Sequence, residues 1–224
     1  MLQGLWHPLW LSAWVASTAT VIGIVVGSVI GLVIARRRFF GRELLDSIIL
    51  LPMMLPPTVL GYYLLVVIGE RTGFGAVWES LLGWPLVFTP TAAVLAACLH
   101  TVPIVAKSMR GAFATLDPVL EDMARIDGAS RMALARYVYL PQVLPPLVAA
   151  GTIAFARAVG DFGVTLMVAG NIPGRTQTAS LAIYDLLMAG RDGEALVLTL
   201  IVTVICVIVI RLSARAGQSY RSSN

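Results

Sequence analysis

Charge is scarce in this chain of 224 residues: only 12% are Asp, Glu, Lys or Arg, about half the share in a typical soluble domain. Hydrophobic residues make up 58% of the chain, and the mean hydropathy is +0.86. These values exclude an ordinary soluble domain. We therefore expect an integral membrane protein.

Cysteine, lysine and the common catalytic motifs are also nearly absent. Cys98 and Cys206 both lie inside apolar runs, so neither a disulfide framework nor a metal site is indicated. The single lysine, Lys107, does not belong to a G-x-x-x-x-G-K-[ST] loop, and no H-E-x-x-H or G-x-S-x-G sequence occurs. We expect no enzymatic activity and no bound cofactor in this chain itself.

The apolar residues form runs of membrane-spanning length, which is about 20 residues for a helix. We expect an all-α polytopic protein with five spans, at residues 9–35, 47–69, 86–106, 142–169 and 195–210. These spans make one membrane domain over residues 9–212, followed by a tail at 213–224. Pro52, Pro56 and Pro57 interrupt the second span, which predicts a kinked or broken helix.

The basic residues predict the orientation in the membrane. Twelve of the sixteen Lys and Arg residues lie in segments 36–46, 107–136 and 211–224, and only Arg71, Arg175 and Arg191 lie in the opposite loops. Cytoplasmic loops carry such an excess, so we expect the amino terminus outside and the carboxyl terminus in the cytoplasm. The sequence pI of about 9.4 thus indicates cytoplasmic loops and not a nucleic-acid partner.

The longest charged segment, residues 117–141, predicts a cytoplasmic helical hairpin. Asp117 and Pro118 are typical of a helix start, and Gly128 is typical of a helix end. Ser130 can cap a second short helix, which Pro141 prevents from continuing unbroken. The first helix carries one apolar face, made of Val119, Leu120, Met123, Ala124 and Ile126. Such a face indicates a contact with another protein.

The hairpin resembles the cytoplasmic loop of ABC importer permeases, which has the form E-A-A, three residues, Gly, nine residues, I-x-L-P. Here Asp122, Met123 and Ala124 are followed in register by Gly128, and the closing motif is the segment that ends at Leu140-Pro141. Asp122 replaces the family glutamate, and Glu121 lies one residue early, so the acidic role is open between the two.

Within that family the chain is similar to the molybdate permeases, over roughly residues 12–212. Two stretches carry this resemblance: residues 50–62, which contain the three prolines, and residues 160–176, which contain Asp161 where that family usually has glutamate. Sulfate and tungstate permeases are near relatives. The resemblance implies the type I ABC permease fold and molybdate import, with tungstate or sulfate as the alternative substrate.

The resemblance also implies the partners of this chain in a bacterial cytoplasmic (inner) membrane. They are a second copy of the chain, two cytoplasmic P-loop subunits that use ATP and Mg²⁺, and an extracytoplasmic molybdate-binding protein. The coupling residues that it implies are Glu121, Asp122, Met123, Ala124, Gly128, Leu140 and Pro141. A hairpin packed on its own chain is the alternative to this coupling role.

Charged and irregular positions within the spans are candidates for the translocation pathway or gate: Pro52, Pro56, Pro57, Arg157 and Asp161. Charged residues at membrane depth usually face the bundle interior or a water-filled cavity. The alternative for Arg157 and Asp161 is a structural ion pair, and the alternative for the prolines is a packing kink. His100 is read as a buried polar group and not as a proton carrier.

Two other classes of protein remain as alternatives at this point. A secondary transporter or channel would work without an ATPase partner. An intramembrane enzyme would need paired catalytic residues at membrane depth, and Arg157 with Asp161 makes a poor pair for that role. The loop at residues 171–178 either contacts the delivery protein or is an ordinary solvated loop.

Overall fold

The computed structural model describes residues 3–37, 39–69, 72–116 and 118–222, and these segments are helical without strands. The helices are α1 (Gln3–Arg36), α2 (Arg42–Met54), α3 (Pro57–Ile68), α4 (Gly73–Leu82), α5 (Pro90–Ala114), α6 (Pro118–Ile126), α7 (Arg131–Ala133), α8 (Leu140–Val159), α9 (Gly163–Ala169), α10 (Ala179–Met188) and α11 (Asp192–Ser222). A π-helical segment, Leu134–Tyr139, joins α7 to α8.

Four helical stretches of the described residues are long and apolar enough to cross a membrane: Leu5–Arg36, Pro90–Ala114, Leu134–Val159 and Asp192–Ser213. The pair α2 and α3 passes the same test as one unit but is bent by 114°. Counted as one span, the pair brings the number to five. The expected break in the second span is confirmed, and it lies at residues 55–56, between Met54 and Pro57.

Helix α5 is the centre of the bundle and packs against α1, α2, α8 and α9. Its contact with α1 is close because glycines on α1 face it: a β-carbon on Gly27 would lie 2.8 Å from Val105 Cβ, and one on Gly31 would lie 2.8 Å from Met109 Cβ. Small residues at such spacing let membrane helices approach backbone to backbone. The Thr101 hydroxyl adds a buried hydrogen bond to the Ala19 carbonyl, at 3.0 Å.

Several helix bounds differ from the expectation. The third span starts at Pro90 because Thr89 caps it, its hydroxyl accepting a hydrogen bond from the Ala92 N–H. The predicted loop after the second span contains α4, which Thr72 caps and which ends at Gly83 in a left-handed conformation. The fourth span is broken at residues 160–162, and the last helix continues past the predicted tail boundary to Ser222.

Candidate functional site

The hairpin that the sequence places in the cytoplasm begins with α6, which ends in a turn that only glycine makes without strain. Gly128 has φ +80°, and the Ala129 N–H donates to the Ala124 carbonyl at 2.9 Å. This bond, between residues five apart, is the hydrogen bond of a Schellman motif. The predicted stop at Gly128 is confirmed. The predicted cap Asp117 lies outside the described residues.

Three described residues of the apolar face of α6 are exposed. Met123 is 58% exposed and Ile126 is 84% exposed, and Val119, one turn earlier, is 60% exposed. Ala124 is half-buried and Asp122 is exposed, whereas the side chains of Leu120 and Glu121 lie outside the described part of the structure. The described residues of the chain leave Met123 and Ile126 largely uncovered, which argues against the reading of a hairpin packed on its own protein.

The second arm of the hairpin is capped as predicted but does not end as predicted. The Ser130 hydroxyl accepts a hydrogen bond from the Ala133 N–H at 3.2 Å. The expectation that Pro141 interrupts the helix is wrong, because the chain stays helical through the π-helical segment into α8. The wide turn bonds the Leu140 N–H to the Ala135 carbonyl. It leaves Pro141 in the first turn of α8, where a missing N–H costs little.

This second arm is attached to the membrane bundle. The Arg36 guanidinium, at the end of α1, lies 5.2 Å from the centre of the Tyr139 ring, a cation–π distance. Leu134 and Val143 are buried on either side of Tyr139, Val143 in the same apolar cluster as Val105 and Met109. A displacement of the hairpin would therefore be transmitted to α1, α5 and α8.

At membrane depth the structure brings a polar cluster to the break in the fourth span. Asp161 is only 3% exposed, and its Oδ2 accepts hydrogen bonds from the Thr165 N–H at 3.2 Å and the Thr165 hydroxyl at 2.6 Å. The Ser180 hydroxyl donates to the Asp161 carbonyl at 2.6 Å. The carboxylate therefore holds the first turn of α9, as the acceptors at helix starts do.

The four-residue spacing of Arg157 and Asp161 predicts that they pair on one face of a continuous helix, and the structure corrects this. Arg157 lies in the last turn of α8, whereas Asp161 lies in the break that follows. They still meet, with Arg157 Nη1 3.5 Å from Asp161 Oδ1. His100 of α5 is on the other side of the carboxylate, its Nδ1 3.8 Å from the same oxygen. His100 is buried as expected, but no hydrogen bond is described for this Nδ1.

A cavity of about 220 Å³ adjoins this cluster, lined by Met53, Leu55, Pro57, His100, Ile104 and Arg157. It lies at the bend between α2 and α3, so it joins the two interrupted spans to α5. Of the three prolines predicted to border the pathway, Pro57 is among the described residues that line this cavity. Pro52 lies inside α2, and Pro56 directly precedes α3.

On the predicted outer side, one carboxylate holds the loop that precedes α10. Asp185 accepts hydrogen bonds from the Asn171 and Gln177 side-chain amides, each at 2.6 Å. The ends of the 171–178 loop are therefore fixed, while its middle, at Pro173 and Gly174, is exposed.

The sequence arguments missed Thr165 and the link from Asp161 to His100. Asp161 followed by Gly163 and Thr165 is a local pattern that indicates a helix start. The approach of His100 had no local signal, because α5 and the break lie about 60 residues apart in sequence.

Comparisons with known proteins agree with this architecture. A family model described as binding-protein-dependent transport system inner membrane component matches residues 19–222. A molybdenum transport system permease protein of Bacillus subtilis is 38% identical over 79% of this chain and 76% of its own length. The corresponding protein of Escherichia coli K12 is 39% identical over 73% of this chain and 72% of its own length.

A sulfate transport system permease protein of Escherichia coli is 33% identical over 68% of this chain and 54% of its own length. Among solved structures, a chain of the MetNI methionine ABC transporter in an inward-facing conformation superposes with a TM-score of 0.74. It is 18% identical, with 98% of this chain and 97% of that chain covered. At this identity the likeness shows the fold alone.

Proposed function

The chain belongs to the family of binding-protein-dependent transport system inner membrane components, and on that premise we propose that it is the membrane subunit of an ATP-driven importer of molybdate. Two molybdenum permeases are 38% and 39% identical to this chain, against 33% for the sulfate permease of Escherichia coli, which supports molybdate over sulfate. A related oxyanion, tungstate or sulfate, is the alternative substrate.

The observation that carries this proposal is the exposed apolar face of α6. Met123 and Ile126 are 58% and 84% exposed on a nine-residue helix that predicted topology puts in the cytoplasm. A short helix of this kind is stabilised when an apolar groove of a partner buries its face. The fitting partner is a cytoplasmic P-loop ATPase, since the sequence has no phosphate-binding loop of its own.

The assembly that we propose contains two copies of this chain, two P-loop subunits and an extracytoplasmic binding protein that delivers the anion. ATP and Mg²⁺ act in the P-loop subunits, and no cofactor belongs to this chain. Asp122, exposed on α6, is suited to pair with a basic residue across the contact, and Glu121 shares that role. The amino terminus is outside, and the carboxyl terminus is cytoplasmic.

Coupling follows from the way in which the hairpin is attached. Closure of the ATPase dimer moves α6, and the arm that ends at Leu140 and Pro141 transmits the motion to α8 and, through Tyr139, to α1. The pathway runs past the bend at Pro56 and Pro57 and past the break at Asp161. Arg157 lines the cavity in this region, and Pro52 precedes Met53 of the same lining.

The test is uptake of radiolabelled molybdate by vesicles that contain the reconstituted transporter. We expect uptake to require ATP inside the vesicle and the binding protein outside it. Excess tungstate should inhibit this uptake more strongly than excess sulfate does. Uptake driven by an ion gradient without the ATPase would contradict the proposal, and stronger competition by sulfate would change its substrate.

A further inference from the structure

Two basic side chains from different spans share one buried carboxylate at the edge of a cavity. Arg157 from α8 and His100 from α5 lie 3.5 Å and 3.8 Å from Asp161 Oδ1, and both line the cavity at the bend of the broken span. His100 is ten residues from the start and fourteen from the end of the 25-residue α5, about 15 Å and about 21 Å along its axis, so the cluster lies near mid-membrane.

The contact between Arg157 and Asp161 leaves most of the guanidinium free for other interactions. Its 3.5 Å exceeds the 2.7–2.9 Å of a good charge-assisted hydrogen bond. The Arg157 side chain is 38% exposed, whereas that of Asp161 is 3% exposed. Among the described contacts this is the one hydrogen bond of the guanidinium, which leaves most of its five N–H donors for a ligand.

Asp161 does not need Arg157 in order to hold the break together. Its Oδ2 is bonded twice to Thr165, and its Oδ1 has His100 Nδ1 within 3.8 Å, an atom that is buried without a described hydrogen bond. If the guanidinium turned into the cavity, a small movement of the imidazole would let Nδ1–H replace it at Oδ1. His100 in its neutral form is sufficient for that exchange.

We propose that this cavity is a transient oxyanion subsite of the pathway, in which Arg157 donates to the anion while His100 takes its place at Asp161. The proposal rests on the anion-import function proposed above and assigns residues to it. At about 220 Å³ the cavity far exceeds the 10–15 Å³ that roughly one water molecule requires, so it has room for a small tetrahedral anion. The ligand class is an inorganic dianion such as molybdate.

The same geometry keeps the binding weak, which translocation requires. The Asp161 carboxylate is fixed near Arg157 by Thr165 and opposes a second negative charge in the cavity. A pathway must release its ion quickly, so a site with one cation and one opposing carboxylate is better suited than an unopposed arginine.

The experiment measures molybdate uptake and ATP hydrolysis by the reconstituted transporter carrying Arg157→Gln, with Arg191→Gln as the matched control. Arg191 is exposed and pairs with Glu194 outside the cavity. We expect Arg157→Gln to lower uptake about tenfold or more while ATP hydrolysis continues, because a charge-assisted anion contact is lost. Arg191→Gln should transport as the wild type does. Full uptake by Arg157→Gln would overturn the proposal.

Asp161→Asn provides the second measurement, since asparagine keeps an oxygen for Thr165 and removes the opposing charge. We expect a lower KM for molybdate together with a lower maximal rate, as binding tightens and release slows. Unchanged values, or failure of this variant to assemble, would overturn the subsite in favour of a structural pair. Absence of ATP-dependent molybdate uptake by the wild-type transporter would contradict the proposed function itself. That result is distinct from any result obtained with the variants.

Discussion

Gly163 of α9 touches Pro57 of α3 where the two interrupted spans cross. A β-carbon on Gly163 would lie 2.8 Å from Pro57 Cβ, closer than real β-carbons approach other atoms. The bend of one span thus packs directly on the break of the other. Because Pro57 also lines the cavity that contains His100 and Arg157, this contact helps to set the shape of the cavity.

Gly163→Ala should therefore destabilise the protein and reduce transport. Overpacking against a rigid ring costs about 1–3 kcal/mol, which a lower unfolding temperature of the purified protein would show. Gly193→Ala is the control, since Gly193 is also in the first turn of a helix and its added β-carbon meets nothing within 4 Å. Equal unfolding temperatures for the two variants would show that the spans yield easily at this crossing.

Gly128→Trp should leave insertion intact but uncouple ATP hydrolysis from uptake. A β-carbon at this position would meet no other described residue within 4 Å, so the indole would project outwards, towards the proposed ATPase partner. Gly190→Trp is the control, because Gly190 has φ +69° and an equally open surrounding but lies after α10. Backbone strain is the same in both, at about 1–3 kcal/mol. Wild-type transport by Gly128→Trp would exclude the hairpin as the coupling element.

Met123→Glu should weaken the attachment of the P-loop subunits. Burying a methionine side chain contributes about 1.5–3 kcal/mol, so we expect roughly a tenfold to hundredfold loss of affinity, measured by co-purification at decreasing concentration. Met188→Glu, on α10 and 68% exposed, makes the same change away from the hairpin and should retain the ATPase. Equal retention by both variants would show that α6 contributes no apolar contact.

Local signals in the sequence were sufficient for the elements whose ends are set by their own residues. The turn at Gly128 and the Ser130 cap both follow from neighbouring residue types. Helix α4 has comparable signals in Thr72 and Gly83, but the charges and glycines of this short segment between spans favour a loop.

The remaining differences come from contacts that the sequence does not display. Pro141 alone predicts a helix end. In the structure a π-helical turn precedes it, and the helix continues although Pro141 has no N–H to donate. Asp161 four residues after Arg157 predicts one helical face, whereas the hydrogen bonds of Asp161 to Thr165 and Ser180 stabilise a break. The cavity forms only when α2, α3, α5 and α8 pack together. The spacing of residues within one span does not predict how separate spans pack.

Asp185→Asn should loosen the outer loop that precedes α10. The carboxylate accepts two amide hydrogen bonds at 2.6 Å, and asparagine would turn one acceptor into a donor that faces an amide N–H₂. Losing one charge-assisted bond costs about 1.5–3 kcal/mol, visible as a lower unfolding temperature. Protease cleavage within residues 171–178 should become faster. Asp192→Asn, an exposed position in the first turn of α11, is the control and should change either measurement little.

The same variant decides between the two readings of that loop. If residues 171–178 contact the delivery protein, Asp185→Asn should reduce the stimulation of ATP hydrolysis by that protein and leave the unstimulated rate unchanged. The reason is that the exposed middle of the loop, at Pro173 and Gly174, would lose its fixed position relative to α10. Normal stimulation in a variant whose loop is cleaved faster would show that this is an ordinary solvated loop.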